Sequence, residues 1–98
     1  MTINKIADND MLTIALEGRL DTTTAPQLEG ELKTSLDGVK KLVFDFAKLD
    51  YISSAGLRVM LATQKIMNKQ GEMVIHNVCA DIQEVFEITG FTDILTIE

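Results

Sequence analysis

Leu42-Val43-Phe44-Asp45-Phe46, followed by Leu49-Asp50-Tyr51-Ile52-Ser53-Ser54-Ala55-Gly56-Leu57-Arg58, is the stretch that decides the fold. Its first part is a short, nearly unbroken run of β-favouring apolar residues, the pattern of a central strand covered on both faces. The second part leads into helical spacing between Leu57 and Lys69. Leu57, Met60, Leu61 and Met67 project onto one apolar face and Val59, Ala62 and Ile66 onto another, with Arg58, Lys65 and Lys69 as a basic stripe between them. One face must pack on the sheet, while the other meets a neighbouring helix or stays open to a partner.

Upstream, Thr2 to Ala7 and Met11 to Leu16 alternate polar and apolar residues around the turn residues Asp8-Asn9-Asp10, which predicts a β-hairpin ending at Gly18. Asp21-Thr22-Thr23-Thr24 then offers capping groups and Pro26 suits a first helical turn, so a helix is expected with Ala25, Leu28, Leu32 and Leu36 on its buried side. Asp37-Gly38 closes it. Downstream, Gln70-Gly71 breaks the second helix and Met73 to Val78 predicts a second buried strand. Asp81 is placed to cap a short helix carrying Ile82, Val85 and Phe86, which Gly90 stops, and Ile94 to Ile97 predicts a last strand. Strands alternating with helices imply a mostly parallel sheet, made mixed by the hairpin: a single α/β domain with helices packed against the sheet.

The 98 residues suit one compact domain without an internal linker. Fifteen acidic against nine basic side chains give a net charge of -6 with no basic cluster, which argues against nucleic acid as a partner. No apolar run approaches a membrane span and the opening Met1 to Lys5 lacks the apolar core of a signal peptide, so the cytoplasm is the expected location, with no direct membrane insertion. Cys79 and His76 are each the only residue of their kind, too few for a disulfide or a structural metal site.

Ser53 and Ser54 stand at the mouth of the second helix, with the small Ala55-Gly56 keeping the backbone approachable. Either serine is suited to cap the helix by accepting a bond from an unpaired amide. The same geometry suits a phosphate, whose charge is favourable at a helix N-terminus, so modification there would change the surface without unfolding the domain.

The segment Ile52-Ser53-Ser54-Ala55-Gly56-Leu57-Arg58-Val59 resembles the phosphorylation segment of anti-sigma factor antagonists, the soluble STAS proteins. Gly18-Arg19-Leu20-Asp21 resembles that family's Gly-x-Leu-Asp segment, Gly71-Glu72-Met73 its glycine before the next strand, and Gly90-Phe91 its closing turn, so the resemblance spans essentially the whole chain as one STAS domain, residues 1–98. It implies that Ser54 is the phosphorylated residue, with Ser53 as the alternative because it stands where the family commonly has an aspartate. It also implies a partner surface of Asp21, Thr22 and Thr23 together with Ser53, Ser54, Ala55, Gly56, Leu57 and Arg58. For Asp21, a helix-entry cap or turn residue is the plainer reading.

By that resemblance the unphosphorylated chain binds an anti-sigma factor serine kinase and releases a sigma factor. The kinase then inactivates it by phosphorylation and a PP2C-type phosphatase restores it, the chain itself needing no cofactor. The same skeleton would serve a STAS subunit of a stress-signalling complex or an accessory protein of a lipid or anion transporter, and nucleotide binding by the domain stays open. An enzyme is not expected. Ile52-Ser53-Ser54-Ala55-Gly56 lacks the first glycine of a nucleophile elbow, His76 is the one available imidazole, and no glycine-rich loop ends in Lys-Ser or Lys-Thr.

Overall fold

The computed structural model describes residues 1–98, and its element order is β1 (Thr2–Asp8), β2 (Met11–Leu20), α1 (Ala25–Ser35), β3 (Lys41–Ile52), α2 (Ser54–Gln70), β4 (Glu72–His76) and α3 (Ala80–Thr89), closed by a 3-10 turn over Phe91–Asp93. The strands form one sheet in the order β1-β2-β3-β4, antiparallel between β1 and β2 and parallel elsewhere. The mixed, mostly parallel sheet expected from the hairpin and the alternating elements is therefore present.

Alternation along the strands sends Leu12, Ile14 and Leu16 of β2, Leu42, Phe44 and Phe46 of β3, and Met73 and Ile75 of β4 to one side. There they join Leu28 and Leu32 of α1, Met60 and Met67 of α2, and Ile82 and Phe86 of α3 in a single buried cluster. On the other side of the sheet, the expectation of a central strand covered on both faces holds at Val43. Val43 and its register partner Val74 point the other way and lie outside that cluster, yet both are buried, with Thr13 flanking Val43 on β2.

Two expectations change. Ile94 to Ile97 does not form a full strand: after Gly90, at φ 80°, the chain curls so that Ile94 and Leu95 both donate their amides to the Phe91 carbonyl. Only the end is left to meet β4, through a single parallel bridge between Ile75 and Ile97. Cys79, not Asp81, is the N-cap of α3, and it makes no side-chain capping bond; Asp81 sits inside the first turn, where a negative charge complements the helix dipole.

Gly71 marks a close approach. A Cβ there would lie 1.9 Å from the Lys40 carbonyl oxygen, so glycine is needed where α2 passes the chain entering β3. Nearby, the Gln70 side chain donates to the Leu36 and Val39 carbonyls at 2.7 and 2.8 Å and ties the end of α2 to the loop after α1.

Candidate functional site

The carboxyl ends of β2 and β3 pair with Arg19 opposite Tyr51 and Leu20 opposite Ile52, so the chain segments that leave them emerge side by side. From β3 a single residue, Ser53, leads into α2. Its amide donates to the Leu20 carbonyl at 2.9 Å, its carbonyl accepts the first helical bond from Leu57 at 2.9 Å, and its hydroxyl accepts from the Gly56 amide at 3.4 Å. Ser53 is therefore the N-cap of α2 and is half-buried. Ser54 is the first residue of the helix, exposed, and its hydroxyl has no hydrogen-bond partner within the protein.

Gly56 fixes how closely that mouth seats on the sheet. A Cβ at this position would stand 2.8 Å from both Ile52 Cγ1 and Leu20 Cγ and 3.0 Å from the Leu20 carbonyl oxygen. Gly56 and Leu57, both counted with the partner surface from sequence, are buried, so they shape the site from below and do not reach its surface.

Beside the mouth, Asp21 organises the turn that leads from β2 to α1. One carboxylate oxygen accepts from the Thr23 hydroxyl at 2.8 Å and from the amides of Thr23 and Thr24 at 3.0 and 3.1 Å. The Thr24 hydroxyl donates in turn to the Arg19 carbonyl at 2.8 Å and accepts from the Asp21 amide at 2.8 Å. These bonds, led by the Thr23 hydroxyl, hold the Asp21 carboxyl below its ordinary value of 3.8. The turn reading of Asp21 suggested by the sequence is realised here, and Thr24 takes the N-cap position of α1.

Arg19 and Tyr51 complete the surroundings and were not singled out in the sequence. The guanidinium lies 4.1 Å from the centroid of the Tyr51 ring, and its Nε is 3.6 Å from Asp21 Oδ2. The signal that could have found them is their shared register at neighbouring strand ends, which becomes visible only once β2 and β3 are paired.

A groove of about 350 Å³ opens between the first turns of α1 and α2, lined by Thr22, Ala25, Pro26 and Glu29 on one side and by Ala55, Arg58, Val59 and Ala62 on the other. A second hollow, of about 310 Å³, continues it along the helices to Leu36 and Ile66, sharing Glu29, Val59 and Ala62. The second apolar face of α2 is thereby divided: Val59 is buried, while Ala62 and Ile66 stay exposed along the groove. The structure thus brings Thr22, Ala55 and Arg58 together on one surface.

His76 is remote from this surface. It pairs in register with Asp45, and Ile52 lies seven residues further along β3, which at strand rise is roughly 20 Å. His76 Nε2 is instead 3.1 Å from Glu98 Oε1, so it is no base for either serine. No helix is long and apolar enough to cross a membrane.

With this geometry in place, comparison with known proteins assigns the family. The model of the STAS domain matches residues 2–98. The chain belongs to the STAS domain family. It is 42% identical over 99 residues to BtrV of Bordetella bronchiseptica, a protein described as an anti-sigma factor antagonist, covering 99% of this chain and 84% of that one. It is 31% identical over 97 residues to the anti-sigma-B factor antagonist of Listeria monocytogenes, covering 96% and 84%. The Bacillus anti-sigma factor antagonist SpoIIAA shares the fold. Its unphosphorylated structure matches with a TM-score of 0.77 at 17% identity over 99% of this chain and 87% of that one, and its phosphorylated structure with 0.77 at 18% over 99% and 91%.

Proposed function

We propose that this STAS domain is an anti-sigma factor antagonist: unphosphorylated, it binds an anti-sigma factor serine kinase and so frees a sigma factor. Phosphorylation of Ser54 inactivates it, and a PP2C-type phosphatase restores it. The observation that carries this reading is the contrast between two adjacent hydroxyls: Ser53 caps α2, whereas Ser54 is exposed and unengaged. A visiting kinase reaches Ser54 without undoing the helix start.

The contact surface in this reading is Ser54 and Ala55 at the helix mouth, Arg58 one turn on, and the Asp21 to Thr23 turn across the groove. Phosphate brings about -1.5 to -2 charges and a tetrahedral group onto that surface. An interface fitted to a neutral hydroxyl then loses affinity, at about tenfold for each 1.4 kcal/mol. The role of the named relatives and the existence of a phosphorylated form of SpoIIAA agree with this switch.

The chain is the substrate of another enzyme here, and the kinase supplies nucleotide and magnesium. Incubation with the cognate kinase and ATP, followed by tandem mass spectrometry, is expected to place one phosphate on Ser54 and none on Ser54→Ala. A label confined to Ser53 would overturn the assignment.

A further inference from the structure

We propose that Arg58 receives the phosphate carried by Ser54 within the same molecule, as an ion pair spanning one helical turn; the proposal rests on Ser54 being the modified residue. Ser54 and Arg58 stand at positions i and i+4 of α2, which lie on one face of a helix. Helical side chains lean toward the N-terminus, which carries the Arg58 guanidinium back over the turn that begins at Ser54. Arg58 lines the groove together with Ala55 of that same turn.

The surrounding charges single Arg58 out. Arg19 is stacked on Tyr51 at 4.1 Å and lies 3.6 Å from Asp21. Asp21 is also held by Thr23, and Glu29, on the opposite wall of the groove, is 3.6 Å from Lys33. Arg58 is exposed and has neither a hydrogen bond nor an ion pair, so it is the cation at the groove mouth not already engaged. Its planar fork matches two phosphate oxygens, a geometry a lysine cannot reproduce.

The consequence concerns how the switch acts. Before modification the mouth presents a neutral hydroxyl beside a free cation, suited to a partner carboxylate. Afterwards the cation is occupied by a group of about -1.5 to -2 charges, leaving that pair at about -0.5 to -1. Modification therefore withdraws an attractive group as well as adding a repulsive one.

The test uses the full chain with phosphoserine incorporated at position 54 during translation, so that no kinase is needed. In a phosphorus NMR titration at low salt, the second phosphate ionisation, ordinarily near 6, is expected about 0.3 of a pH unit lower in the native sequence than in Arg58→Gln. The Arg58 Nε–H resonance is expected to move between the serine and phosphoserine forms. Equal ionisation in the two proteins overturns the proposal, and so does an ionisation difference with an unmoved Nε–H signal, because that reports a distant charge and no contact. Neither result bears on where a kinase places its phosphate, which the labelling of Ser54 decides separately.

Discussion

Ser53 and Ser54 carry the same hydroxyl in two environments, and the difference is measurable without any partner. Removing the Ser53 hydroxyl leaves the Gly56 amide without its cap, so Ser53→Ala is expected to cost about 1 kcal/mol in thermal or denaturant unfolding. Ser54→Ala, which breaks no internal bond, is expected to stay within about 0.5 kcal/mol of the parent. Equal losses would contradict the division of labour. Asp21 is a second residue-scale case. Its folded carboxyl lies below 3.8, so the stability it lends is present above the unfolded value and is lost as pH falls through the folded one; loosening of the turn belongs to acid below about pH 4. Carbon NMR titration should show the carboxyl returning toward 3.8 in Thr23→Ala, and an unmoved value would refute the leading part given to the Thr23 hydroxyl. The sequence made the pair of serines legible as candidate caps, because small polar residues before an apolar-periodic run suit a helix start, while the resemblance to the STAS proteins marked Ser54 as a candidate acceptor. Which of the two caps depends on the exit angle of β3, fixed by the Ser53 amide bonding to Leu20, a residue 33 positions earlier. Arg19 and Tyr51 were invisible for the same reason: they stand 32 positions apart, and only the strand register sets them face to face.

Among the elements, two helical glycines show how differently the same residue is used. Gly30 lies within α1, and a Cβ added to it would meet nothing within 4 Å, so Gly30→Ala is expected to stabilise the fold by about 0.5–1 kcal/mol through reduced chain entropy. Gly56, with Ile52 and Leu20 at 2.8 Å, is expected to lose about 1–3 kcal/mol on the same change, as the mouth of α2 is pushed off the sheet. Denaturant melts of the two variants check the opposite signs, and a stabilising Gly56→Ala would show that the helix does not seat as closely as described. Helix α2 was readable in advance because its two apolar faces recur at helical spacing over a long segment. The end of the chain was not. Ile94 to Ile97 has strand composition, but the left-handed Gly90 starts a curl whose carbonyl bonds to Ile94 and Leu95 take precedence over pairing with β4.

For the molecule as a whole, three helices on one side of a four-stranded sheet leave β1 as an edge paired only to β2, while β3 is paired along both sides. Amide hydrogen exchange should follow that arrangement, slowest for Leu42 to Asp45, which pair on both sides, and fastest among the strands for β1; comparable protection in β1 would mean that a partner chain covers the edge in solution. The fold places the Asp21 turn, the Ser54 hydroxyl and Arg58 at the same end of the molecule, so that in the proposed function a single docking partner would meet all three. Net charge of -6 adds a general repulsion toward acidic surfaces, which one more phosphate deepens. The most direct test of this account is calorimetric titration of the cognate anti-sigma factor kinase with the bare chain and with the chain quantitatively phosphorylated on Ser54. The account predicts that phosphorylation weakens binding by at least about tenfold, equivalent to 1.4 kcal/mol. Equal affinity for the two forms would contradict it.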